Sequence, residues 1–279
     1  MLEGLEEDVV VLVVFSRVLL LGKRVIVEFD KIDVFGTPVG LCTVPETSRF
    51  ARDGKTDHAR VVAIANVHSV MTARKDRRLA DALSSSDLVT PDGMPLVWAL
   101  KLSGCRQATR VTGIDVMRAT LEVGLEANLG HFFYGSTPEV LDALEREVRN
   151  AFPDVNICGT LSPPFRPLSR EEKDEHVEMI KASGAEIVWV GLGMPKQELW
   201  MHEIRDELPG VTLVGVGAAF DWFAGRMKRA PRWIQNAGLE WLFRLAHEPG
   251  RLWRRYLSTN PGFMVLLLRR WIAGFVGRV

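Results

Sequence analysis

Short apolar runs alternate with stretches of helical spacing along most of this chain. Residues 61–65, 87–90, 131–135, 186–190 and 211–216 are rich in β-branched or aromatic side chains and end on polar or glycine turns, as buried strands do. A shorter run at 155–157 follows the same rule. Between them, residues 68–83, 94–102, 114–126, 138–151, 170–183 and 196–208 read as helices. Ser136-Thr137-Pro138 supplies an N-cap and a first-turn proline, and Ser169-x-x-Glu172 a capping box. This alternation predicts an α/β fold: a Rossmann-like, mostly parallel sheet with helices on both faces. Upstream, 25–27 and 33–39 look like short strands, and Pro45 and Glu46 open a helix toward Ala51.

After Asp221 the strand pattern stops. Residues 233–246, 251–257 and 263–277 read as helices, divided by Pro249-Gly250 and by Asn260-Pro261-Gly262. The chain therefore divides into an apolar N-terminal extension (1–23), an α/β core (24–225) and a helical C-terminal appendage (226–279). The apolar run at 9–21 is interrupted by Ser16 and Arg17 and is too short to span a bilayer. Glu3, Glu6, Glu7 and Asp8 stand where an export signal would be basic. The segment fits an added strand, a surface-associated piece or a start placed too early.

Composition changes this picture mainly through charge. The 35 basic and 35 acidic residues balance overall, yet the stretch from Arg226 onward holds 11 Lys/Arg against 2 Asp/Glu. It also holds Trp233, Trp241, Trp253 and Trp271, and arginine with tryptophan points to an anionic partner with an apolar boundary, a membrane surface or nucleic acid. Three separated cysteines argue for a reducing compartment, and no His-x-x-x-His pair or cysteine spacing suggests a metal site.

The candidate chemistry collects at strand ends. Two apolar runs close in Gly-x-Gly, at Gly191-Leu192-Gly193 and Gly215-Val216-Gly217, where close backbone approach and a following helix N-terminus suit a diphosphate. Lys196 and Gln197 open the helix after the first, and Asp221 follows the second, where it either meets a ribose or base or caps Trp222-Phe223. Asp92, in Pro91-Asp92-Gly93, is either a turn residue or a general base at the rim. Asn66 either caps the next helix or orients substrate hydroxyls. Arg110 and Asp115 flank Thr112-Gly113, as a surface ion pair or as polar groups turned to the same rim. Arg251, Arg254 and Arg255 share a helix face opposite Leu252, Trp253, Tyr256 and Leu257, suited to phosphate oxygens or headgroups. There is no Asp-x-Asp metal clamp, P-loop or nucleophile elbow.

Taken in order, Pro91-Asp92-Gly93-Met94-Pro95, Arg110-Val111-Thr112-Gly113-Ile114-Asp115, Pro163-Pro164-Phe165, Gly191-Leu192-Gly193-Met194-Pro195-Lys196-Gln197-Glu198, Gly215 through Asp221, Arg229-Ala230-Pro231 and Gly238 through Arg251 form a set. That set resembles the bacterial WecG/TagA/CpsF glycosyltransferases over roughly residues 30 to 258. The resemblance implies an inverting, metal-independent enzyme without a cofactor, moving a sugar from a UDP-sugar to a polyprenyl-diphosphate-linked acceptor sugar. It implies a cytoplasmic protein held peripherally at the inner membrane face through the appendage, with no nucleic-acid partner; a homo-oligomer is left open. By this likeness Asp92 matches the catalytic base, Asn66 and Gln197 line the sugar site, and Asp221 lies on the nucleotide side. Arg244, Arg251 and Arg254 match arginines that close over the diphosphate. Ile64 departs from a threonine common in the family, which bears on sugar identity.

Two other functions fit parts of the sequence. A nicotinamide-dependent oxidoreductase would use the Gly-x-Gly ends, although neither is a full Gly-x-Gly-x-x-Gly with an acid about 20 residues on. A non-catalytic membrane or nucleic-acid adaptor would rest on the basic tail alone.

Overall fold

The computed structural model describes residues 10–13, 16–21, 24–54 and 56–276. Three strands, β1 (Val10–Val13), β2 (Ser16–Leu21) and β3 (Arg24–Phe29), form an antiparallel sheet, so the apolar N-terminal run makes two paired strands where it is described. Its residues 1–9, 14–15 and 22–23 lie outside the described part. A two-stranded unit follows, β4 (Lys31–Val34) and β5 (Thr37–Gly40), leading to α1 (Val44–Arg52). Thr43 and Glu46 form a capping box at the start of α1, as the Pro45-Glu46 signal suggests.

The centre is a six-stranded sheet in the order β7 (Leu88–Pro91), β6 (Arg60–Ala65), β11 (Thr212–Gly215), β10 (Ile187–Gly191), β8 (Gly130–Gly135), β9 (Asn156–Leu161). Every neighbouring pair is parallel. The fold is thus the expected Rossmann-like one, and the two Gly-x-Gly strands are direct neighbours. Side chains alternate between faces because a strand repeats every two residues. Val62, Ile64, Trp189 and Val214 meet α5 (Gly113–Gly124), α6 (Pro138–Ala151) and α9 (Ala219–Phe223) on one side. On the other side Val188, Val190 and Leu213 meet α7 (Arg170–Ser183) and α8 (Lys196–Ile204). Ala63, Ala65 and Val89 pack there on α2 (Val67–Ala73), α3 (Arg77–Ser84) and α4 (Met94–Leu102).

Several sequence boundaries move. The run at 68–83 is two helices, because Asp76 caps a new one with its carboxylate on the amides of Arg78 and Leu79. The helix expected to reach 208 ends at Ile204 and tightens into a 3-10 turn. Residues 233–246 become α10 (Arg232–Asn236) and α11 (Glu240–His247), parted by Gly238 at φ +73°. Asp221 does not close a strand: β11 stops at Gly215, and Asp221 lies in the first turn of α9.

The largest correction concerns Asn260-Pro261-Gly262, which does not break the chain. A single helix, α12 (Pro249–Val276), runs through it. An interior proline costs about 3 kcal/mol, but burying one large apolar side chain returns roughly 1.5–3 kcal/mol. Phe263 and Leu267 are both buried, and Phe263 meets Phe35 edge-on at 5.2 Å. Gly262 sits where a Cβ would approach the Met71 methyl to 3.0 Å, so α12 comes close against α2. Packing therefore overrides the local breaker, and Pro249 serves instead as the first residue of the helix.

Candidate active site

Asn66 and Asp92 end adjacent parallel strands, in register at Ala65 and Pro91, so the two side chains emerge together at the carboxyl edge of the sheet. The Asp92 amide donates to the Ala65 carbonyl at 2.7 Å and fixes that juxtaposition. After β6 the chain enters α2 on one face of the sheet, whereas after β11 it enters α9 on the other. A crevice opens where such connections part. It forms a cleft lined by Asn66, His68 and Asp92 from one side, Arg110 and Trp222 from another, and Glu240, Trp241, Arg244, Arg255 and Tyr256 from the C-terminal helices.

Of the two acids in this cleft, Asp92 and Glu240, half-buried Asp92 is the one whose titration is shifted upward. Burial pushes its carboxyl up to about 6, and the neighbouring Glu240 adds to the rise against the pull of Arg110 and Arg244. Such a group is ionised at neutral pH and still basic enough to accept a proton. His68 is neutral: burial, then Arg255, pull its imidazole down to about 4, and Thr72 Oγ1 stands 3.3 Å from its Nδ1. Asn66 caps α2 and also lines the cleft. Its Oδ1 accepts from the His68 and Ser69 amides as the cap of α2, and it faces the cleft, where Arg255 donates to it at 3.4 Å.

Arg110 and Asp115 do not pair with one another. Arg110 donates to Glu240 at 2.5 Å and to Gln235, while Asp115 takes two 2.6 Å bonds from Arg229 and one of 2.7 Å from Thr112. Both reach residues after 225; the Arg110–Glu240 pair is largely shielded from water, and the Asp115–Arg229 pair is partly exposed. Arg244 lies over the Trp222 ring at 5.2 Å, and its buried Nε has no hydrogen-bond partner among the described residues.

The Glycosyl transferase WecG/TagA/CpsF family matches residues 32–275. This chain belongs to that family. Among similar proteins is the N-acetylglucosaminyldiphosphoundecaprenol N-acetyl-beta-D-mannosaminyltransferase of Bacillus subtilis strain 168, 31% identical over 75% of this chain and 79% of the relative. The protein of the same name from Bacillus spizizenii strain W23 is 34% identical over 75% of this chain and 78% of its own length. The protein is therefore a glycosyltransferase of cell-surface glycan synthesis, and the nicotinamide-dependent reading is set aside.

Other residues singled out in this transferase sit around the cleft rather than in it. Gln197 is buried, its Oε1 accepting from the Gly193 amide at 3.2 Å and its Nε2 donating to Glu198 at 3.0 Å. Lys196 is exposed and lines a second cleft beside Gly191, Phe165 and Trp200. The glycines have different reasons. A Cβ on Gly191 would come within 2.5 Å of the Phe220 ring, whereas Gly193 and Gly217 need glycine for positive φ, +75° and +51°. Asp221 lies outside the lining of the cleft, next to Trp222, which is within it. Ile64 is buried in the core on the α5–α6 face.

The three-arginine face is rearranged. Arg255, not Arg254, turns inward with Tyr256, on the side where Leu252 and Thr259 are buried. Arg254 is exposed and lies 5.2 Å from the Trp253 ring, so it does not face the cleft. The Arg251 side chain lies outside the described part. Sequence reasoning missed Glu240, Gln235, Trp222 and Tyr256 as cleft residues and Glu198 as a buried acid. The i, i+4 spacing of Glu240 and Arg244 on α11, beside the arginine the resemblance singled out, is the signal that could have found Glu240.

Proposed function

We propose that this glycosyltransferase moves a sugar from a UDP-sugar to a polyprenyl-diphosphate-linked acceptor sugar, with inversion and without a metal. The names of the two Bacillus relatives describe transfer onto an N-acetylglucosaminyl-diphospho-undecaprenol, and an acceptor of that kind is the reading for this chain. The observation that carries the chemistry is Asp92, a recessed carboxyl at a strand end in a cleft walled by arginines.

Asp92 takes the proton from an acceptor hydroxyl as that oxygen bonds to the anomeric carbon from the face opposite the nucleotide. The bond from that carbon to the diphosphate oxygen breaks, UDP departs with the electron pair, and the configuration inverts. Arg244 and Arg255 balance the charge that grows on the leaving diphosphate, with Arg110 beside them. Asn66 and neutral His68 are placed to hydrogen-bond sugar hydroxyls. The nucleotide lies toward Gly193, Gly217 and Asp221.

A lipid-linked acceptor requires contact with a membrane. Leu257, Met264, Leu268, Trp271 and Ile272 are exposed along α12, with Arg254 and Arg269 beside them, and Trp233 is exposed on α10. An apolar helical stripe edged by arginine suits the headgroup region of an anionic bilayer. Among the described residues no helix is long and apolar enough to cross a membrane.

The test is incubation with a panel of UDP-sugars and a short-chain prenyl-diphosphate N-acetylglucosamine, read by mass spectrometry with and without EDTA. One added sugar with release of UDP at an unchanged rate in EDTA is expected. No transfer from any UDP-sugar removes the donor class, and an EDTA-silenced enzyme restored by a divalent ion removes metal independence.

A further inference from the structure

Arg110 shares the cleft with two carboxyl groups, Asp92 and Glu240, and is hydrogen-bonded to one of them, Glu240. Its guanidinium donates to Glu240 Oε2 at 2.5 Å and to Gln235 Oε1, and Gln235 Nε2 in turn donates to the Ala230 carbonyl at 2.6 Å. Asp92 lines the same cleft, and no hydrogen bond from Arg110 reaches it. Glu240 comes from α11 and Gln235 from α10, so elements more than a hundred residues away in sequence decide where Arg110 points. Both members of the pair are mostly shielded, with side chains 15% and 18% exposed, which makes the partner choice of Arg110 consequential.

We infer that Glu240 is a positioning residue: by holding Arg110 it keeps that guanidinium off Asp92 and so preserves the proton-accepting carboxylate for the acceptor hydroxyl. This rests on the reading of Asp92 as base. Asp92, Arg110 and Glu240 line one cleft, and the Arg110 charge is felt at Asp92. A guanidinium bonded directly to Asp92 would lower its basicity, because hydrogen bonds to the charged form stabilise it. Glu240 acts twice in the same direction, by occupying Arg110 and by placing its own negative charge toward Asp92.

The other charged or titratable groups near Asp92 come from every wall of the cleft. Asp115 on α5 lies on the same side as Arg110, but two bonds from Arg229 engage it. Arg244, one turn beyond Glu240 on α11, pulls against it, and Tyr256 of α12 also faces Asp92. Arg255 and neutral His68 complete the lining. Of these, Glu240 alone combines a charge that raises the basicity of Asp92 with a bond to Arg110, the cation that pulls most against it. Docking of α11 on the core thereby sets the strength of the base as well as closing the cleft.

The experiment is the pH dependence of kcat/KM for the full chain and for Glu240→Gln, with Asp92→Asn as reference. Wild type is expected to lose activity below an acid limb that Asp92→Asn lacks because its residual rate is flat. In Glu240→Gln that limb should move toward acid by about half a pH unit or more, roughly a threefold gain in relative rate below it. Its plateau kcat should fall, and loss of the shielded ion pair should lower the melting temperature while leaving the protein folded at the assay temperature. Glu240→Asp, whose carboxylate is drawn back from Arg110, should shift the limb the same way by less, and it decides the question if the glutamine variant is too unstable to assay. A limb that is unmoved in the folded Glu240 variants overturns the inference. Full activity in Asp92→Asn would instead overturn the base reading beneath it, so the two failures are told apart.

Discussion

Arg229 grips Asp115 through both terminal nitrogens, each 2.6 Å from a carboxylate oxygen, and thereby ties the first turn of α5 to the segment that enters the C-terminal helices. With Arg110–Glu240 it makes two ionic ties between the sheet's rim and the appendage. The Arg229–Asp115 pair is the planar, two-pronged one of the two, a geometry among the stronger side-chain interactions.

The tie predicts a pH-dependent loss. Burial pushes the Asp115 carboxyl up, yet hydrogen bonds from Arg229 and Thr112 outweigh it and hold the group below its ordinary range. A depressed carboxyl contributes stability above its unfolded value and loses that contribution as the pH falls through the folded one. Arg229→Gln should therefore cost about 1–2 kcal/mol at pH 7, the partly exposed pair being discounted for solvent. Melting curves should show that deficit at neutral pH and a closing gap below about pH 4.

Glu198 predicts the opposite sign. It is 3% exposed, its Oε2 lacks a partner among the described residues, and burial pushes its carboxyl up to about 7. Between its ordinary value of 4.5 and 7 the folded protein holds a proton that the unfolded chain has released, so stability falls as the pH rises across that window and levels above it. Glu198→Gln keeps the acceptor for Gln197 and removes the charge. It should stabilise by about 1–3 kcal/mol at pH 8 and by little at pH 4.5, in the same melting experiment. A variant less stable than wild type at pH 8 would mean that the buried carboxylate is compensated.

The sheet was legible because its signals are local. Strand runs such as 61–65 and 186–190 and the caps at Thr137 and Ser169 state their structure within a few residues. The pairing of Asn66 with Asp92 at one edge followed from strand ends that face the same way. What the sequence concealed depends on distant packing. Pro261 reads as a break and lies inside a helix because Phe263 finds a pocket by Phe35. Arg110 and Asp115 read as a possible pair, yet their partners lie 130 and 114 residues away. Arg254 and Arg255 have the same local chemistry, and only the docking of α12 on α2 and α11 decides which one enters the cleft.

The stripe on α12 predicts membrane binding separable from folding. Leu268→Glu with Trp271→Glu leaves buried Phe263 and Leu267 in place. The double variant should sediment with anionic phosphatidylglycerol vesicles several-fold less than wild type, as expected when two apolar side chains leave an interface. Its melting temperature should remain close to wild type. Equal sedimentation of both proteins would place the lipid contact elsewhere.

Asp92→Asn carries the central claim, because it exchanges one carboxylate oxygen for an amide in a cleft otherwise unchanged. The measurement is product formation by mass spectrometry with a UDP-sugar donor and a prenyl-diphosphate sugar acceptor, alongside calorimetric UDP binding to the same preparation. A general base contributes on the order of 10²–10⁴ in rate, so a loss of transfer of that size with UDP affinity within about twofold of wild type is predicted. Turnover at the wild-type rate in a variant that binds UDP normally would contradict the account.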